Sequence, residues 1–135
     1  MSTVPAPITV DVIDDDPDVL GSLRFLLETE GFEVRTFASG AAFLAAGVDH
    51  WSDCVIIDYK MEEMNGIDLI RSLRGRDVHA PVVLITGYPD ETIPKRAAAV
   101  GVHHVVLKPH VEEGLVVHVR AALSAAAAAD LRETP

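Results

Sequence analysis

The sequence has a single cysteine, Cys54, so it can form no intramolecular disulfide and no cysteine-built metal cage. Positive charge is scarce as well: 11 Lys and Arg stand against 21 Asp and Glu, a net charge of −10. Nonspecific binding to nucleic acid needs cationic side chains that displace counterions, and anionic lipid repels an acidic chain. Neither partner class is expected. No apolar run approaches the roughly 20 residues that cross a bilayer. Met1 to Pro7 lack the basic start and long apolar stretch of a secretory leader, so a cytoplasmic protein is expected. What is plentiful is apolar side chain, 49% of 135 residues, with a mean hydropathy of +0.25. This excludes a mainly disordered chain and fits one domain that buries roughly two-thirds of its unfolded surface.

The apolar residues fall into two alternating patterns. Short, β-branched runs occupy Ile8 to Ile13, Phe32 to Phe37, Cys54 to Ile57, Val82 to Ile85 and Val105 to Leu107. The last three are apolar throughout, which suits strands covered on both faces. Between them lie helical stretches. Pro17 to Glu30 puts Leu20, Leu23 and Leu27 on one face, flanked by Val19 and Leu26, with Pro17 at its start and Gly31 past its end. Ser39 to Ala46 opens on a Ser cap, Ile67 to Leu73 follows Gly66, and Asp90 to Val100 is closed by Gly101. Val111 to about Ala128 forms the last helix, with Val111, Leu115, Val119 and Leu123 as its stripe. Regular alternation predicts an α/β fold: a doubly wound, five-stranded parallel sheet with five helices on its two faces. Ligands in such sheets bind beyond the carboxyl ends of the strands.

Those ends carry Asp14-Asp15-Asp16, Asp58, Thr86-Gly87 and Lys108-Pro109. A parallel sheet gathers all four at one edge. Carboxylates brought together repel, and a hard divalent cation relieves them; Mg²⁺ takes a few carboxylate oxygens plus water and phosphate oxygens. A hydroxyl and an ammonium beside it complete a site for an incoming phosphoryl group. Each piece alone has a plainer reading: an Asp run as caps and turns, Thr-Gly as a turn, Lys-Pro as a loop. Their conjunction at successive strand ends is what points to chemistry. An EF-hand loop from Asp14 fails, because Val19 and Phe25 stand where Gly and Glu are needed. Asp14 to Asp18 has two of the Asp residues of a haloacid-dehalogenase-type phosphatase motif but ends wrongly, and no P-loop or Gly-x-Gly-x-x-Gly occurs.

The set Val12-Ile13-Asp14-Asp15-Asp16, Ile57-Asp58-Tyr59-Lys60-Met61-Glu62-Glu63-Met64-Asn65-Gly66, Leu84-Ile85-Thr86-Gly87 and Leu107-Lys108-Pro109 resembles a response-regulator receiver domain of bacterial two-component signalling, in the CheY-like superfamily. The resemblance covers residues 8–124, leaving 1–7 as an N-terminal extension and 125–135 as a helical or frayed tail. It implies a flavodoxin-like strand order, 2-1-3-4-5. It implies that Asp58 accepts a phosphoryl group from a sensor histidine kinase. Asp14 and Asp15 would position Mg²⁺ with Asp58 and the backbone carbonyl of Lys60. Thr86 would be the switch hydroxyl and Lys108 the cation that pairs with a phosphoryl oxygen, its bond to Pro109 cis. Such a protein is a phosphoacceptor that assists its own phosphorylation and dephosphorylation, not an enzyme acting on a separate substrate.

Only the last helix and a tail follow Pro109. A stand-alone receiver is therefore expected, acting through a downstream protein target, a phosphorelay histidine protein or a homodimer. The rival readings are an unphosphorylated interaction module of the same fold and a small phosphatase with an Asp nucleophile. The full Asp14, Asp15, Asp58, Thr86 and Lys108 set speaks against the first, and the lack of a substrate-binding insertion against the second. Three positions depart from the family: Glu62 replaces the usual proline after Met61, Val105 stands at the aromatic switch position, and His110 stands where Phe is frequent. Val105 is stiff and has no ring to swing. The surface of helix four, strand five and helix five is therefore expected to change little, with the loops Met61–Gly66 and Thr86–Asp90 carrying the signal. Tyr88 is expected to overlook the phosphoryl group. The exposed face of the first helix is a candidate kinase dock.

Several residues invite less. His103 and His104 are adjacent, so on a strand their rings face opposite ways and a metal site is not expected. Cys54 is read as a core thiol, Trp51 as a packing residue, and Arg71, Arg74 and Arg76 as a solvated helix end.

Overall fold

Each β-branched run becomes a strand and each periodic stretch a helix. In chain order these are β1 (Thr9–Ile13), α1 (Pro17–Thr29), β2 (Glu33–Phe37), α2 (Gly40–Ala45), β3 (Cys54–Asp58), α3 (Gly66–Gly75), β4 (Val82–Thr86), α4 (Thr92–Ala99), β5 (His104–Leu107) and α5 (Val111–Glu133). This computed structural model describes residues 7–46, 52–108 and 111–133, without the side chains of 111–113 and 129–133. The expectations for Trp51, Pro109 and His110 lie outside the described residues.

The strands form one parallel sheet in the order β2-β1-β3-β4-β5. Its order reverses between β1 and β3, so the carboxyl ends of those two strands flank the crevice where such sheets place ligands. Every position of β3 and β4 is buried, as their unbroken apolarity predicted. Side chains alternate between two cores. Val10, Val12, Ile56 and Val83 face α1 and α5, meeting Leu20, Leu23, Leu27, Leu115 and Val119. Ile13, Val55, Ile57 and Leu84 face the other way, onto Phe43, Ile70, Leu73 and Ile93.

Local signals set the helix ends. Asp16 caps α1 by accepting from the Asp18 N–H, and Gly31 follows the helix at φ +94°, a backbone conformation that glycine adopts without strain. Asn65 and Asp68 form a reciprocal capping box on α3. α5 runs to Glu133, past the expected end near Ala128, because its alanine run is helix-favouring and no glycine or proline stands between Ala125 and Glu133. Among its described side chains Leu115, Val119 and Ala122 are buried, while Leu123 of the expected stripe is only partly covered and Val111 lies outside the described side chains.

Two charged residues do structural work that the sequence did not disclose. Arg74 is not a solvated helix end. It is half-buried, donating from Nε to the Val100 carbonyl (3.2 Å) and from Nη1 to those of Val78 (3.0 Å) and Ala80 (3.1 Å). Its neighbours Arg71 and Arg76 are exposed as expected. Asp11, within the first apolar run, is wholly buried and takes a bidentate pair from Arg35 on the adjacent strand, Nε at 2.8 Å and Nη2 at 2.9 Å.

Candidate functional site

β1 and β3 end side by side, and their next carboxylates, Asp14 and Asp58, are 2% and 5% exposed. Asp15 joins them from the exposed side. One oxygen from each of the three lies within 4.8 Å of the others, the one group of three or more potential metal ligands among the described residues. Asp16 does not take part, because its side chain caps α1. The Asp run thus divides between site and helix cap.

Lys108, following β5, reaches into the cluster. Its Nζ lies 3.2 Å from Asp58 Oδ1 and 3.9 Å from Asp14 Oδ2. Asp14 Oδ1 accepts from the Asp16 N–H at 2.9 Å, whereas Oδ2 is buried with no hydrogen-bond partner. Burial pushes the Asp14 carboxyl up to about 6; the Asp16 N–H and Lys108 oppose this, and the Asp58 and Asp15 charges add to it. Burial raises Asp58 as well, against the pull of Lys108. A buried carboxylate oxygen without a donor, amid two further carboxylates, suits a hard cation with oxygen ligands.

Thr86 ends β4 and is 3% exposed. Its Oγ1 accepts from the Tyr88 N–H at 3.0 Å, and its carbonyl accepts from the Lys108 N–H at 2.8 Å. Strand pairing thus ties the hydroxyl-bearing and lysine-bearing ends together. Lys60 sits two residues past Asp58 in the β3–α3 loop, and its ammonium lies 5.5 Å from the centre of the Tyr88 ring. Tyr88, 43% exposed, also meets Tyr59 edge-on at 6.5 Å. It therefore leans across the two loops that border the cluster. Glu62 and Glu63 line a cavity of about 90 Å³ with Asp15, Gly40 and Met64.

Gly66 had no assigned role, yet it sets the loop's path. Its N–H donates to the Tyr59 carbonyl at 2.7 Å. A Cβ there would stand 2.7 Å from the Asp58 carbonyl oxygen, 2.8 Å from Leu84 Cδ1 and 3.0 Å from Ile57 Cγ2. Asn-Gly at a helix start was the available signal, but a close approach to β3 is a tertiary fact.

Val105 is partly buried and lines a cavity of about 300 Å³ with Thr86, Tyr88, Pro94 and Leu107. His103 is exposed, while His104 is half-buried, edge-on to His118 at 5.9 Å. Burial, with the neighbouring His118 and His103, holds His104 below the usual histidine range. Cys54 is buried, and its thiol is pushed up to about 12. Among the described residues no helix is long and apolar enough to cross a membrane.

The profile of the response regulator receiver domain matches residues 10–120. Transcriptional regulatory protein FixJ of Azorhizobium caulinodans is 36% identical over 124 residues, which cover 92% of this chain and 59% of that protein. Transcriptional regulatory protein KdpE of Mycobacterium tuberculosis is also 36% identical over 124 residues, covering 92% of this chain and 54% of that one. The chain thus spans little more than half the length of these relatives. The crystal structure of FixJ-N superposes with a TM-score of 0.81 at 29% identity, covering 89% of this chain and 96% of that one. The Vibrio cholerae chemotaxis protein CheY4 shares the fold, with a TM-score of 0.80 at 24% identity over 87% of this chain and 99% of its own.

Proposed function

The chain belongs to the response regulator receiver family, and from that premise we propose that Asp58 accepts a phosphoryl group from a sensor histidine kinase in a Mg²⁺-dependent reaction. The observation that carries this reading is the convergence of Asp14, Asp15 and Asp58 within 4.8 Å, with Lys108 Nζ 3.2 Å from Asp58. An ionised Asp58 oxygen attacks phosphorus, the P–N bond of the phosphohistidine breaks, and the imidazole leaves as the P–O bond forms. Lys108 favours the ionised form of Asp58 against its burial, then pairs with a phosphoryl oxygen. The Thr86 hydroxyl, now an acceptor for the Tyr88 N–H, turns to donate to another. Asp14, Asp15, Asp58 and the Lys60 carbonyl would hold Mg²⁺, which supplies positive charge to the transferring oxygens. Asp14 Oδ2, buried without a hydrogen-bond partner, fits that role.

This makes the protein a signalling switch that assists its own phosphorylation and dephosphorylation. The receiver unit is 8–124, with 1–7 and 125–135 as flanking segments. Its reader is a downstream protein, a phosphorelay histidine protein or a second copy, and its setting the cytoplasm. The test is intact mass after incubation with acetyl phosphate, with and without Mg²⁺. Wild type should gain one phosphoryl group only with Mg²⁺, and Asp58→Asn none. Equal gain by Asp58→Asn would overturn the assignment.

A further inference from the structure

α4 is thinly anchored on the sheet's second face. It buries Ile93 and Ala97; Asp90 just before it accepts from the Thr92 N–H and hydroxyl, and Arg74 donates to the Val100 carbonyl just past its end. Among the described residues, one side-chain hydrogen bond joins α4 to another element: Arg96 Nη1 donates to the Tyr59 hydroxyl at 3.0 Å. The Arg96 guanidinium also stands 6.0 Å from the Tyr59 ring centre.

Tyr59 is well placed to be a fixed post. It follows Asp58 directly, its N–H donates to the Ile85 carbonyl at 2.7 Å, and its own carbonyl accepts from Gly66 at 2.7 Å. Backbone bonds to β4 and to the start of α3 therefore hold it on both sides. Its ring packs on the second core. The other edge of that ring meets Tyr88, whose N–H is the donor to Thr86 Oγ1. One aromatic side chain thus touches both the loop that carries the switch hydroxyl and the helix that follows that loop.

We infer that Tyr59 and Arg96 form a tether that sets the position of α4 and couples it to Thr86, a reading that rests on phosphorylation at Asp58. When the Thr86 hydroxyl turns toward a phosphoryl oxygen, the Tyr88 N–H loses its acceptor and the Tyr88 ring shifts against Tyr59. α4 then pivots about the Arg96–Tyr59 bond. This gives α4 a path of response that does not pass through Val105. A ligand moves a conformational equilibrium only through groups whose contacts differ between the two states, and the Tyr59 ring is such a contact. Tyr59 and Arg96 are positioning residues; neither touches the reacting atoms.

Amide NMR with Mg²⁺ and beryllofluoride tests this in wild type, Tyr59→Phe, Arg96→Ala and the double variant, with phosphoryl mass gain measured on the same samples. Tyr59→Phe keeps the ring and removes only the hydroxyl. Shifts over Thr92–Ala99 should shrink at least about twofold in each single variant, as expected for loss of one hydrogen bond to a charged group. They should shrink no further in the double variant, because the two residues act as a unit. Shifts at Gly87 and Tyr88, and the mass gain, should persist. α4 shifts as large in Tyr59→Phe as in wild type overturn the tether, as does loss of the Gly87 and Tyr88 shifts along with them. Absence of mass gain in wild type overturns phosphorylation itself, a separate result.

Discussion

Adding one methyl group at Gly66 tests the packing on which the acidic cluster rests. An alanine Cβ would sit 2.7 Å from the Asp58 carbonyl oxygen, a backbone atom that cannot yield without moving Asp58 itself. Leu84 Cδ1 at 2.8 Å and Ile57 Cγ2 at 3.0 Å close the other sides, both from fully buried residues. Overpacking of this kind costs about 1–3 kcal/mol. The helix-propensity gain from replacing glycine is small at the first residue of α3 and does not offset it. Unfolding entropy near 2.1 cal/mol/K per residue gives roughly 0.28 kcal/mol/K for 135 residues, so the Tm should fall by about 4–11 °C. Gly21, within α1, provides the contrast, because nothing lies within 4 Å of its added Cβ. Gly21→Ala should gain up to about 1 kcal/mol and raise Tm by up to about 4 °C. Thermal melts by circular dichroism measure both. Phosphorylation by acetyl phosphate should slow in Gly66→Ala and not in Gly21→Ala. If Gly66→Ala melts at or above the wild-type temperature, the reasoning from close approach is wrong.

Arg74→Ala should cost about 1–3 kcal/mol, because it strands three carbonyls in a half-buried place; Arg71→Ala and Arg76→Ala should stay within about 0.5 kcal/mol, and urea titration separates them. Tyr88→Ala should release phosphate faster than wild type, since the ring leaning over the two loops screens the attacking water; an equal or slower release rejects this. Cys54 should resist Ellman's reagent in the native protein at mildly alkaline pH and react once unfolded, because its thiol is buried and pushed up to about 12. The same shift has a linkage consequence. The unfolded thiol ionises near 9.0 while the folded one stays protonated, so this group's contribution to stability is lost as pH rises from 9.0 toward about 12, which alkaline melts can follow.

Much of this was legible because it is written locally. β3 and β4 could be read from unbroken apolar runs, α1 from its leucine spacing and flanking Pro17 and Gly31, and the cluster from polar residues that directly follow strands. The strand order itself came with the family resemblance. What escaped depends on partners distant in the chain. Asp11 looks like a blemish in an apolar run until β1 pairs with β2 and sets Arg35 opposite it. Arg74 bonds backbone carbonyls, which no side-chain pattern announces. Arg96 and Tyr59 lie 37 residues apart and meet only because α4 packs beside the end of β3. The far end of α5 was legible only as a helical or frayed tail: the apolar stripe stops near Leu123, and alanine propensity carries the helix on to Glu133.

That last helix has a mechanical consequence. Ala122 is the last of its described side chains to be fully buried, and the helix continues to Glu133. At about 1.5 Å per residue, the stretch from Ala122 to Glu133, along which Leu123, Ala126 and Ala128 are still partly covered, is roughly 16 Å long. It is a lever arm whose fulcrum is the packing of Leu115, Val119 and Ala122 against β5 and its neighbours. A tilt of about 5° at that fulcrum sweeps the far end through about 1.4 Å over this length. A displacement too small to register within the sheet would therefore be magnified at the tip, making the far end of α5 the place to attach a spin label or fluorophore that reports on its base.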